Sequence, residues 1–470
     1  MNPTQKTIWD NILNFDLDQP TSEYGFSTRL AYENGWSIFF TQQAIEEYKK
    51  FFFMATISNE MVSPSPIVDV VWHQHLIFTQ SYQRLCELGG KQIAHVPSTH
   101  NYAEKGKFDR AWQHTLELYR EFWGNPPAEI WLEPTFMSVL DSPALTSNMQ
   151  GANTNRMLFG VMLIAFYPLM TWLRPVIVSI ENPYFLTSYW FTFVGIFCIL
   201  IAYKIMRLAL LGNLLFAKGI FHRLSPFELI YMKRNKIADV VHGVMNQLLK
   251  TQKIRIESDN KISSLVNTKK AESGYELAVL QSLEVHNGQA YYPAILTNVL
   301  KKEIFTQTEQ FVKHLGAKIS RLKAFANLQV FTFTVWLLFF SFGLMRLITG
   351  MERDKPVLFL FISLAVMLAL TLLFSRITVR YLLQSYVPQK YQERYAPKLY
   401  VDGSPEYWQW QYFALGAAML ESSFTPIVTH VERTKETENG GSSSCGSSCS
   451  SGGDGGGGCG GGCGGCGGGD

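Results

Sequence analysis

Cysteine is nearly absent from most of this 470-residue chain: of seven, only Cys86 and Cys198 lie before position 440. The other five, Cys445, Cys449, Cys459, Cys463 and Cys466, crowd a terminal stretch of glycine and serine. A disulfide framework spreads its cysteines through the folded parts, so an oxidised secreted domain is excluded. The chain begins MNPTQKTIWDNILNFDLD, where acidic residues interrupt any apolar core, and no cleavable export signal is expected. HExxH is missing, as is any Ser/His/Asp or Cys/His spacing that would favour an enzyme. Charged residues make up 17% of the chain, ordinary for a soluble protein, and the formal net of +3 averages over unlike regions. Residues 1–145 carry 10 Lys/Arg against 17 Asp/Glu, a net of −7, and residues 218–270 carry 11 against 4, a net of +7.

What is present is long apolar sequence. A bilayer core of about 30 Å needs roughly 20 apolar residues in a helix, because the backbone must satisfy its own hydrogen bonds there. Four stretches meet that requirement: 157–180, with Pro168, Arg174 and Pro175 in its second half, then 184–203, 329–349 and 356–375. The last three hold no charge between their ends apart from Arg346 in a final turn. Buried helices of a soluble core rarely run so long without polar interruption. Lys204 and Arg207, Lys318, Arg321 and Lys323, and Arg376 and Arg380 flank the spans. The positive-inside rule then turns two hairpins outward and leaves both termini cytoplasmic in a multi-pass protein of the cell membrane.

The expected fold is mostly α. A helical domain (1–145) precedes a transmembrane hairpin (157–203), a cytoplasmic region (204–324), a second hairpin (325–375) and a cytoplasmic C-terminal region (376–438). Residues 439–470, almost without hydrophobic side chains, are expected to be disordered. Their cysteine spacings invite a metal, but glycine frames them and a solvated tail is the default.

In the N-terminal domain, QQAIEEYKKFFFM, IVDVVWHQHLIFTQSYQRLCEL and KFDRAWQHTLELYREFW repeat apolar residues at helical spacing. Ser65 is placed to cap the middle helix, with Pro66 at its first position. Five of the ten histidines fall between His73 and His114. In Asp69-Val-Val-Trp72-His73-Gln-His75, Asp69 and His73 share a helix face, so the carboxylate can fix the imidazole tautomer or share a metal. His75 points about 200° away, so the two histidines cannot readily grip one ion. A zinc site would therefore use His73 with Asp69, or His75 alone, plus ligands such as His95, His100 and Glu104 from the following segment. The alternative is a polar knot around a buried Trp72, with no ion.

FSTRLAYENGW (26–36), EYKKF (47–51), SPSPIVDVVWHQHL (63–76), SYQRLC (81–86), HVPST (95–99) and NPPAEIW (125–131) together resemble the glycine-rich domain-containing proteins of plants and bacteria. The hallmark there is a D-x-x-W-H-x-H core, although His100 and Asn101 stand here where that family often carries glycines. The resemblance implies a fold over residues 20–135 and no established reaction.

In the middle region Ser225, Pro226 and Glu228 form a capping-box start, and IADVVHGVMNQLLK repeats an apolar face. KIRIESDNKISSL alternates about a turn at Asp259-Asn260 as a hairpin should. Helix, turn, helix and hairpin is the order of a winged helix. Nucleic acid is disfavoured all the same, because residues 238–249 carry only Asp239 and no Lys or Arg. Anionic lipid headgroups suit the basic residues equally well. ELAVLQSLEVHNG and AILTNVLKKEIF continue as helices. Residues 224–231 and the Gly/Ser/Cys tail resemble a bacterial family of uncharacterised membrane proteins, which implies the layout of residues 155–470 but no function.

Three functions compete. A membrane-tethered binding or scaffolding protein would dock its acidic N-terminal domain on the basic middle region of its own or a neighbouring chain, with self-association or a protein partner. A metal-dependent enzyme would use Asp69, His73, His75 and His95. A transporter is disfavoured, because the span centres hold no acidic or basic residue.

Overall fold

The computed structural model describes residues 1–96, 105–142, 145, 151–181, 184–221, 223–375, 378–395 and 407–440. The cysteine-rich stretch expected to be disordered lies outside them from position 441 onward. Helices dominate, as the sequence predicts.

The N-terminal domain is built from α1 (Pro3–Leu13), α2 (Phe26–Asn34), α3 (Ile38–Ile57), α4 (Pro66–Ile77), α5 (Thr79–Gly89), α6 (Lys105–Trp123) and two single turns, α7 (Ala128–Trp131) and α8 (Ser138–Asp141). Ser65 caps α4 by accepting from the Val68 amide, with Pro66 at its first position. The stretch expected to continue as that one middle helix is instead broken at Phe78, whose backbone (φ −86°, ψ 61°) leaves the helical region. The break swings Ser81 and Tyr82 back over α4. Ser81 then meets His75, and Tyr82 meets the Trp72 indole. An aromatic core of Tyr48, Phe51, Phe52, Phe53, Trp131 and their neighbours fills this domain.

Next come α9 (Gly151–Ser179), which keeps Pro168 and Pro175 inside it, and α10 (Tyr184–Ala217). The middle region follows with α11 (Pro226–Arg234), α12 (Ile237–Lys250), β1 (Ile254–Ile256), β2 (Lys261–Ser264), α13 (Gly274–Glu284), β3 (Gln289–Tyr291), α14 (Tyr292–Val299) and α15 (Glu303–Ser320). Then α16 (Lys323–Glu352) and α17 (Leu358–Ser375) pair. Finally α18 (Thr378–Arg380) passes through a π turn at Tyr381–Tyr386 into α19 (Val387–Tyr395), followed by α20 (Tyr407–Leu415) and α21 (Thr425–Gly440).

Three of these helices, α10, α16 and α17, are long and apolar enough to cross a membrane. Their outward side chains are mostly apolar, among them Phe191, Ile199, Phe359 and Phe361. A water-facing surface would not tolerate so large a continuous apolar belt. Inside the belt, Tyr189 stacks on Phe339 at 4.3 Å and donates to the Phe339 carbonyl at 3.0 Å. Trp190 donates to Ser363 at 3.2 Å. The span expected at 184–203 runs on to Ala217, and 34 residues make a rod of about 51 Å, well beyond a 30 Å core. The surplus is not wasted: Leu208, Leu211 and Leu215 are buried in the core of the middle region.

α9 lies along α16. Just before α9, the Leu145 carbonyl accepts from the Lys323 amide at 2.7 Å, at the start of α16. At the other end, Arg174 pairs with Glu352 at 2.7 Å, and Arg346 donates to the Ile180 carbonyl at 2.7 Å. Within α9, the continuous described apolar stretch is short, Met157–Phe166.

The middle region keeps the expected helix, turn, helix and hairpin order. The capping box at Ser225 and Glu228 is formed, Asn235 ends α11 in the left-handed region (φ 55°), and Asn260 makes the hairpin turn (φ 62°). Two features depart from the expectation. β3 adds to the hairpin as a third antiparallel strand, in the order β1-β2-β3. And α12 is buried along most of its length, with Asn246 donating to the Met419 carbonyl and accepting from the Glu421 amide. The C-terminal region therefore covers the helix that a winged helix would present. The stretch expected to continue helically from Ala294 likewise splits into α14 and α15 at Leu300–Lys302.

All three soluble parts pack into one body. α15 lies against α2, and Phe136 bridges Phe40 and Phe311. The Ile38 amide donates to buried Glu228 at 2.9 Å, and Glu23 pairs with Lys302 at 2.6 Å. Asp141 pairs with Lys318, and Arg223 with the neutral Gln43. Two carboxylates of the acidic N-terminal domain thus meet lysines of the middle region, Lys302 and Lys318, both outside the basic 218–270 stretch.

The C-terminal region joins at the membrane side. Tyr386 donates to Asn213 at 2.6 Å, which holds its ring over Gly212. A methyl group at Gly212 would overlap that pinned ring. Gly212→Ala is therefore expected to destabilise by about 1–3 kcal/mol, despite its better helix propensity, as read by the thermal midpoint in detergent.

Candidate metal centre

Asp69 stands in the first turn of α4. One turn later His73 folds back toward it. Its Nδ1 lies 2.9 Å from the Asp69 carbonyl oxygen and 3.3 Å from Oδ2. A carbonyl can only accept, so Nδ1 carries the proton and Nε2 keeps its lone pair for a ligand.

His95 arrives from the segment after α5, and its position is set by several contacts. Lys91 donates to the Ala55 and Ser58 carbonyls at 2.9 and 2.6 Å, tying that segment to the end of α3. Tyr82 accepts from the Trp72 indole and donates to the Ile93 carbonyl. The Trp72 ring packs edge-on against His95 at 4.6 Å. These contacts put His95 Nε2 at 3.1 Å from Asp69 Oδ1 and the His95 ring at 4.3 Å from that of His73.

One ligating atom of each of Asp69, His73 and His95 lies within 4.8 Å of the other two. Two ligands on one zinc, each about 2.0–2.1 Å from it, stand roughly 3.1–3.4 Å apart, so the His95–Asp69 pair already has that spacing. Three protein ligands leave a fourth position open. Asp69 and His95 line a cleft of about 450 Å³, together with Glu60, Phe51, Trp72 and Phe108.

His75 does not belong to this site. It is fully buried, with Nδ1 at 2.8 Å from the Tyr48 hydroxyl and Nε2 at 3.0 Å from Ser81, enclosed by Phe15, Phe26 and Tyr82. Burial pushes its pKa down to about 4, so it is a neutral core histidine with both nitrogens occupied. Its inclusion in a ligand set is corrected accordingly; the helical angle already separated it from His73. His114 is engaged elsewhere, with Ser58 at 3.0 Å. His100 and Glu104 lie outside the described residues.

Sequence reasoning missed a second cluster, Asp239, His242 and Glu432. A three-residue spacing of Asp and His on one helix was its only local signal, because Glu432 is remote in sequence. No family model, curated protein or solved structure matches the chain, so these sites have to be read from their own residues.

Proposed function

We propose that this chain is a membrane-tethered binding protein whose N-terminal domain holds a divalent transition metal, zinc by its ligand chemistry, at Asp69, His73 and His95. The observation that carries this reading is the gathering of one ligating atom each from Asp69, His73 and His95 within 4.8 Å of one another, with His95 Nε2 at 3.1 Å from the carboxylate, beside an open cleft. The open coordination position would take a ligand atom from whatever enters the cleft.

Four spans, with α9 as the fourth, fit this reading. α9 begins beside the start of α16 and ends beside its end, so the two helices cover the same distance. The N-terminal and middle parts also touch, which supports a chain that crosses and returns between them. The flanking lysines and arginines then put the packed body in the cytoplasm under the positive-inside rule. A nucleic-acid partner fits poorly, since α12 is covered by the C-terminal region. A protein partner or a second copy suits the scaffolding role.

A second reading, metal-dependent catalysis, has one specific support. Three ligands with an open fourth position are the pattern of catalytic zinc, and Glu60 lines the same cleft.

Equilibrium dialysis of the full chain in detergent, with its thiols alkylated, tests the assignment. His95→Ala is expected to lose one zinc equivalent, with affinity at that site falling about a hundredfold or more. Unchanged stoichiometry and affinity in His95→Ala would remove the site.

A further inference from the structure

Asp239 and His242 lie three residues apart on α12, and Glu432 reaches the same point from α21. One ligating atom of each lies within 4.8 Å of the other two. His242 is only 2% exposed, and its Nε2 meets no hydrogen-bond partner among the described residues. Its Nδ1 stands 3.5 Å from Asp239 Oδ1, too long for a good hydrogen bond. The neighbouring Tyr292 is 1% exposed, its ring is 5.8 Å from that of His242, and its hydroxyl is equally without a partner.

This arrangement is costly as it stands. Buried polar atoms are nearly always hydrogen-bonded, and a buried imidazole nitrogen left without a partner is an exception. Two carboxylates brought this close repel each other unless positive charge sits between them. One divalent cation relieves both conditions. It would take the imidazole lone pair, and the two carboxylates would balance its charge. A mixed nitrogen and oxygen donor set of this kind suits zinc.

We propose that Asp239, His242 and Glu432 form a second divalent-metal site that clasps α21 onto α12. The clasp is separate from the Asp69 centre: α12 and α21 contribute Val240, Val241, Val428 and Val431 to the middle-region core, and Asp69 stands on the N-terminal domain. Its position gives it a role of its own. α21 is the last helix before the cysteine-bearing end of the chain, so the ion would fix the root of that segment to the body. Loss of the ion would leave α21 held by its apolar contacts alone.

The test uses the full chain in detergent with its thiols alkylated, titrated with Co²⁺ as a spectroscopic stand-in for zinc. Alkylation removes the cysteines as ligands, and a thiolate charge-transfer band would report any that escaped. The wild type is expected to bind two equivalents with nitrogen/oxygen-type spectra, and both His242→Ala and Glu432→Gln are expected to bind one. Glu432 is only half-buried, so its glutamine variant keeps the test informative if His242→Ala fails to fold. In parallel, zinc at a hundred times its dissociation constant is expected to slow tryptic cleavage within α21 about a hundredfold, and not to do so in Glu432→Gln. One equivalent that is lost in His95→Ala but retained in Glu432→Gln would overturn this clasp and leave the Asp69 centre standing. One equivalent lost in Glu432→Gln but retained in His95→Ala would do the reverse.

Discussion

Glu47→Ala lowers the stability of the N-terminal domain by about 3–5 kcal/mol, the largest single-residue effect expected outside the aromatic core. Glu47 is 4% exposed on α3, and one carboxylate serves three donors. Tyr119 of α6 donates at 2.9 Å, the Trp131 indole of α7 at 2.7 Å, and Lys50 at 2.7 Å. Burial and the adjacent carboxylate together hold the Tyr119 phenol protonated, so it remains a donor. Removing the carboxylate leaves a buried hydroxyl, a buried indole N–H and an ammonium without their acceptor. Truncation costs far more here than the net worth of any one bond. In a domain of this size the loss corresponds to roughly 10 °C in the thermal midpoint of the domain's unfolding. Glu47→Gln, which keeps one acceptor oxygen, should fall in between. A midpoint within a degree or two of wild type for Glu47→Ala would mean that the three helices are held by packing alone.

The second large effect is a dependence of the packed body on pH. Glu228 caps α11 through the Ser225 amide at 2.7 Å and accepts from the Ile38 amide at 2.9 Å. Burial outweighs those hydrogen bonds and pushes its pKa up to about 7, from an ordinary 4.5. A carboxyl with a raised folded-state pKa binds more protons folded than unfolded. Its contribution is therefore complete below about pH 4.5 and is lost as pH rises through 7. The shift corresponds to about 3 kcal/mol between those limits. His75 acts in the opposite sense: its lowered pKa makes stability fall as pH drops from 6.5 toward 4. The two windows overlap, so the informative comparison is with Glu228→Gln. Between pH 6.5 and 8.5, hydrogen exchange at α2, α3 and α11 should speed up with pH in the wild type beyond its intrinsic chemical dependence. Glu228→Gln should abolish the excess. An equal slope in both proteins would assign the pH dependence to other groups.

Local signals of fold were legible where one short segment contains the whole cause. Ser65 with Pro66, and Ser225 with Pro226 and Glu228, start their helices as the residue types require. Asp259-Asn260 makes its hairpin turn. The 3.6-residue period correctly separated His75 from His73, one buried and the other exposed. What sequence could not supply were the contacts that give these residues their roles. Nothing near Glu47 names Trp131 as a partner 84 residues away, and Glu228 read as a plain capping residue before Ile38 appeared beside it. The break at Phe78 was hidden because apolar periodicity continues across it. Opposite net charges suggested neighbours that the fold does bring together, but the lysines that pair with N-terminal carboxylates, Lys302 and Lys318, lie outside the basic 218–270 stretch. The proposed metal centre was half legible. Asp69 and His73 follow from helical spacing, and His95 could be suspected only from its residue type.

The most direct measurement is a zinc-edge anomalous difference map from crystals of the full chain grown with zinc. A peak within bonding distance of Asp69, His73 and His95 is predicted, with its fourth position turned to the cleft. Zinc bound elsewhere in the same crystals, with no peak among those three side chains, would contradict the account.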